Sequence, residues 1–106
     1  MSPILSGSVN VDQGVLITIP AGASWIGSVQ LSCLSSGPAI ASITVEGGGD
    51  GVSPNVGTSV VACAVFNAAN GLIANAYVVA GNENATLRLN FNGATSAVGV
   101  ANGYTL

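Results

Sequence analysis

The sequence has no histidine, no lysine and a single arginine, Arg88, among its 106 residues. Without imidazole, every histidine-based general base, catalytic triad and metal site is excluded. Without clustered cations, binding that neutralises several phosphates is excluded too, so no nucleic-acid partner is expected. Charge of either sign is scarce: the acids are Asp12, Glu46, Asp50 and Glu83, the formal net charge is −3, and charged residues make up 5% of the chain. A typical globular protein carries about 25%. Little electrostatic repulsion therefore keeps copies apart, and much of the surface can be covered without burying an unpaired ion. That favours a protein built to sit in an assembly.

Long apolar runs are also missing. Gly, Asn, Ser or Asp interrupts each of them well short of the ~18 residues that a membrane-spanning helix needs, so no membrane partner is expected. No positively charged start precedes an apolar core in Met1–Val11, and no signal peptide is expected. Two cysteines, Cys33 and Cys63, are too few for a disulfide framework. Each occupies an apolar strand position, which predicts two free, buried thiols of the kind made in a reducing cytosol.

What is present describes a β protein. A chain of 106 residues makes one domain, 1–106, able to bury roughly two-thirds of its unfolded surface without a metal or disulfide. Its 49% hydrophobic content argues against disorder. The stretch IPAGASWIGSVQLSCL organises the rest. Ile19-Pro20-Ala21-Gly22 predicts a type I turn with Pro20 at its second position. From there Trp25, Gly27, Val29, Leu31 and Cys33 fall on one face and Ser28, Gln30 and Ser32 on the other, the period of a half-buried strand. Trp25, the only tryptophan, can bury on the order of 200 Å² and is expected in the core.

Further strands are expected over Pro3–Val11, Val15–Ile19, Ala39–Glu46, Val56–Phe66, Leu72–Ala80, the segment around Leu87, Leu89 and Phe91, and Ala97–Leu106. VLITI at Val15–Ile19 and VVACAVF at Val60–Phe66 are apolar on both faces, which suits a buried central strand or a subunit contact. The Asn70-Gly71 pair predicts a hairpin that returns Leu72–Ala80 against the preceding strand. Turn signals recur roughly every 8 to 12 residues with no helical period, the pattern of a single antiparallel β-sandwich of about eight strands, jelly-roll or immunoglobulin-like.

No motif carries chemistry. Asp50 in the Gly47–Gly51 loop, with Glu46 nearby, is read as solvated acid rather than a calcium site, which gathers about six to eight oxygens. GGGDG lacks the strand-to-helix context and the lysine of a phosphate loop. Glu83 and Arg88 either pair across the turn at Asn84, or Arg88 bridges to a neighbouring subunit. Two acids at a glycosidase spacing are not apparent, and Asn84-Ala85-Thr86 is read as a chance glycosylation pattern. No catalytic, cofactor-binding or metal-ligating residue is assigned, and no cofactor is expected. Trp25, Tyr77 and Tyr104 are candidate platforms on which a sugar ring could stack, but Trp25 is read as core, and the aromatic content of 5% is thin for a sugar binder.

Three stretches, IPAGASWIGSVQLS, ASITVEGGG and LRLNFNGATSAVGVANG, together resemble small virion proteins of tailed phages, particularly those infecting actinobacteria. In that group a Pro-Ala-Gly turn leads into an aromatic-bearing strand and an Asn-Phe-Asn-Gly turn closes the domain. Members often carry Arg or Thr after the first turn; Ala23 and Ser24 stand there in this chain, so no specific partner contact carries over. The resemblance implies a minor capsid or head decoration protein, assembled in the host cytoplasm, resident on the virion, bound to the major capsid protein and trimeric. The expected function is thus non-enzymatic and structural. The alternative is a receptor- or glycan-binding module of a tail tip or fibre. Candidate interface residues are Val15, Ile17, Ile19, Val61 and Val65; candidate core residues are Trp25, Val29, Leu31, Leu87, Leu89 and Phe91.

Overall fold

Alternating apolar residues set eight strands into two facing layers. The computed structural model of the chain describes residues 3–47, 58–94 and 96–106. Among them lie β1 (Gly7–Val9), β2 (Val15–Thr18), β3 (Trp25–Ser35), β4 (Ala39–Gly47), β5 (Thr58–Phe66), β6 (Asn70–Gly81), β7 (Ala85–Asn92) and β8 (Ser96–Thr105), with no helix. They form two four-stranded sheets of order β1-β8-β3-β6 and β2-β7-β4-β5, antiparallel at every pairing. Only β4 and β5 are consecutive neighbours in one sheet; each of the other six connections crosses between the layers. That interleaved path is the jelly roll, and it excludes the immunoglobulin-like order.

The crossing path overturns the hairpin expected at Asn70-Gly71. Both residues lie inside β6, which leaves β5 behind and pairs with β3 from Ser35↔Asn70 to Trp25↔Gly81. A local turn signal specifies that the chain bends, not which strand receives it. Here the bend falls on Asn67–Ala69, and the Asn70 side-chain oxygen instead accepts the Gly71 N–H at 2.8 Å.

Between the sheets lies one continuous core in which Trp25, Ile19, Leu31, Ile43, Leu87 and Leu89 are the largest fully buried side chains. Val29 is buried with them, whereas Phe91, near the end of β7, is half-buried against the cluster. Ile17 and Ile19, expected at a subunit contact, are core residues at 4% and 0% exposure. A β-bulge between Val15 and Ile17 turns Leu16 and Ile17 inward together, so an all-apolar strand needs no second partner. The same device acts in β5, where Ile43 pairs with Ala62 and Thr44 with Val60. Val61 is the extra residue, and it too rests half-buried on the core.

Trp25 shows how tightly the end of the sandwich is closed. Its indole lies across Gly27 and Gly103, where an added Cβ would stand 2.5 Å and 2.6 Å from ring carbons. Its Nε1–H donates to the Leu5 carbonyl at 2.9 Å. Gly103→Ala must therefore displace either the ring or the Ile26 carbonyl, 2.3 Å from the new carbon. The expected result is a loss of about 1–3 kcal/mol in urea unfolding, the usual cost of overpacking.

The Pro20 turn falls one residue later than the sequence suggests. Ala23 N–H donates to the Pro20 carbonyl at 3.3 Å, and Gly22, the third residue of the turn, has φ +79°. A positive φ there is the mark of type II, which glycine adopts without strain. The β6–β7 turn docks onto it: Gly22 N–H donates to the Glu83 carboxylate, and Asn84 N–H donates to the Ile19 carbonyl at 2.8 Å.

Candidate functional site

The charged side chains of the described residues all lie off the β1-β8-β3-β6 sheet. Asp12 is in the β1–β2 connection, Glu46 in β4, Glu83 in the β6–β7 turn and Arg88 in β7. Three of them work together. Arg88 Nε donates to Glu46 at 2.7 Å, and its guanidinium also donates to the Gln13 carbonyl. Asp12 accepts the Phe91 N–H at 2.8 Å. Gln13 Nε2 donates to the Asn90 side-chain oxygen at 3.0 Å, and Asn90 Nδ2 donates to Thr44 Oγ1, also at 3.0 Å. A shallow groove of about 340 Å³ opens beside this cluster.

These bonds spend the polar groups internally. They clasp the β1–β2 connection to β7, where Gln13 N–H bonds the Leu89 carbonyl and Leu89 N–H bonds that of Gly14. Asp12, Gln13 and Asn90, which line the groove, are thus engaged in holding the fold together. The pairing of Arg88 with Glu83 expected across the turn gives way to Glu46, and Glu83 is held by Gly22. Asp50, the other acid of the glycine-rich loop, lies outside the described residues. Among the described residues no three of His, Cys, Asp and Glu come together as metal ligands, and no helix is long and apolar enough to cross a membrane.

The opposite edge of the sandwich is different in kind. At one edge β1 and β2 are three and four residues long. At the other, β6 and β5 run twelve and nine residues, pack on one another across the layers and, among the described residues, pair on only one side. Neither contains a charged residue or a proline. Proteins ordinarily blunt long edges with charge, proline or brevity, because unpaired N–H and C=O groups template further pairing. Apolar side chains flank this edge on both outer faces. Val65 is 60% exposed beside Ile40, its cross-strand partner. Ile73 is 65% exposed, and with Leu34 and Val98 it lines a hollow of about 410 Å³.

Of the candidate interface residues, Val65 stands on this open edge. Val15 is exposed too, but on β2 at the far side of its sheet, so the five do not form one patch. Sequence reasoning missed Ile40, Ile73 and Leu34 because an apolar residue at a strand position reads as core until the two faces are distinguished.

Both cysteines are free, yet only Cys33 is buried; Cys63 points outward, which corrects the expectation of two buried thiols. Ala62 and Ala64 take the inward positions on either side of it. Burial pushes the Cys33 thiol up from its ordinary pKa, and nearby Cys63 adds to the shift. Less thiolate then forms at Cys33 at any given pH. A thiol reagent at neutral pH should modify one cysteine rapidly in the native protein and both in denaturant. Cys63→Ser should abolish the rapid phase; its persistence would contradict this assignment.

No protein-family model matches the chain, and no curated protein matches it. Jelly rolls serve in viral capsids and in lectins alike. The fold therefore does not choose between the structural and the binding reading, and the surface must.

Proposed function

We propose that the chain is a non-enzymatic structural protein of a tailed-phage virion, a head decoration protein that binds the major capsid protein and associates with copies of itself. The observation that carries this reading is the uncharged β5/β6 edge with its apolar flanks. A surface of that kind is stable in water only when covered, and covering it buries no ion. Symmetric self-association hides the same patch on every copy. The resemblance to small phage virion proteins supplies the particle, the capsid partner and the number three.

The test is to mix fluorescently tagged full chain with phage heads lacking it and to image the washed particles by cryo-electron microscopy. Density repeating at equivalent sites on the head lattice is expected. Heads that retain no tagged protein, or label confined to tails, would reject the decoration role.

A further inference from the structure

Midway along the outer face of the β1-β8-β3-β6 sheet lies a band of uncharged polar side chains. Ser28 and Gln30 come from β3, Asn75 and Tyr77 from β6, and Asn102 from β8. Strand register fixes their spacing: Gln30 lies between Asn75 and Val100, and Ser28 lies opposite Asn102. A β-bulge interrupts β6 here, since Gly27 pairs with Val79 but Val29 pairs with Ala76. Two residues, 77 and 78, thus share one opposite number. Bulges sharpen the local twist and re-aim side chains, and this one leaves Tyr77 standing 80% exposed. With Val29 and Val100 the band encloses a hollow of about 250 Å³, a space suited to one sugar ring.

No hydrogen bond within the described residues engages the side chains of Gln30, Asn75, Tyr77 or Asn102. This is the reverse of the Gln13–Asn90–Thr44 chain on the other sheet, where each amide is spent on the fold. Asparagine is disfavoured in strands, yet two stand here beside a glutamine and an unburied aromatic ring, all on paired strands.

We propose that this band binds a neutral saccharide. The aromatic face of Tyr77 offers the flat apolar surface on which the C–H face of a sugar ring stacks. Each sugar hydroxyl both donates and accepts, and each amide presents an acceptor oxygen and two N–H donors. The absence of charged side chains from the whole sheet selects against phosphorylated or acidic sugars, which would find no counter-ion. Pairing along the β6 edge lies in the plane of the sheet and Tyr77 stands off it, so this site and self-association are compatible. The saccharide site does not rest on the virion reading and is tested apart from it.

The experiment is a titration of the full chain, labelled with nitrogen-15, followed by heteronuclear NMR. The probes are glucose, galactose, mannose, N-acetylglucosamine and their disaccharides, with glucuronate as the charged control. At least one neutral sugar should shift the side-chain amide signals of Gln30, Asn75 and Asn102 saturably in the millimolar range. Tyr77→Ala should weaken that binding about tenfold, and Tyr77→Phe should stay within about threefold of the parent. Asn102→Ala, which leaves the ring in place, should also weaken it several-fold. Both alanine changes are at exposed positions, and unchanged backbone signals elsewhere verify the fold. Absence of a saturable shift with every neutral sugar would overturn the proposal. So would shifts centred elsewhere, equal binding by Tyr77→Ala, or tighter binding of glucuronate than of the neutral sugars.

Discussion

Replacing Trp25 by alanine should cost about 3–5 kcal/mol of folding free energy, at the upper end for a single substitution. The indole is buried and seated on Gly27 and Gly103, where rigid backbone cannot collapse into the space it leaves. Its loss also removes the Nε1–H donor from the Leu5 carbonyl. The segment before β1 is then held to the β8 end by the backbone bonds from Leu5 N–H to Gly103 and from Thr105 N–H to Pro3, at 3.0 and 2.9 Å. Small domains are stable by only about 5–15 kcal/mol, so the variant should approach the unfolding threshold. A urea midpoint lower by roughly 2 M, followed by far-ultraviolet circular dichroism, is the expected reading. Trp25→Phe should fall between parent and alanine variant, because it keeps a ring in the core but no N–H for Leu5. An unchanged midpoint in Trp25→Ala would contradict the core placement.

The second large effect is on association. Val65→Lys combined with Ile73→Lys places two like charges on either side of the β5/β6 edge without entering the core, since both positions are exposed. The parent should sediment as an oligomer, and the double variant should dissociate with at least tenfold weaker association while its circular dichroism is unchanged. Association of the parent should also persist in high salt, because no ion pair is available on β5 or β6 to be screened. Changes at Ile17 would not serve, since a charge at that buried position unfolds the domain. A parent that remains monomeric at high concentration, or a double variant that assembles like it, would reject the edge as the contact.

Much of this fold was legible in the sequence because strand formation here is a local matter. β3, β4, β7 and β8 begin and end within one or two residues of where alternation and turn residues place them. Trp25, Val29, Leu31, Leu87 and Leu89 announce the core by their period of two. Misreadings cluster where one residue breaks that period. The bulge at Leu16 sends two consecutive side chains inward, and the bulge at Val61 exchanges the faces of β5, exposing Cys63. The Glu46–Arg88 bridge joins residues 42 positions apart. Asp12 and Phe91 are 79 apart. No spacing rule reaches that far.

By itself, the sequence determined an all-β chain, its strand positions, a tryptophan-centred core and a surface nearly free of charge, since each follows from neighbouring residues and composition. Only the tertiary structure decided the jelly-roll order, because six of seven connections cross between sheets and a turn looks the same whichever sheet receives the chain. It likewise decided that Ile17 and Ile19 face inward, that the long edges of β5 and β6 lie side by side, and that Tyr77 shares a face with Gln30, Asn75 and Asn102. Those outcomes depend on bulges and on pairing between distant strands, where one residue of slip moves every side chain to the other face.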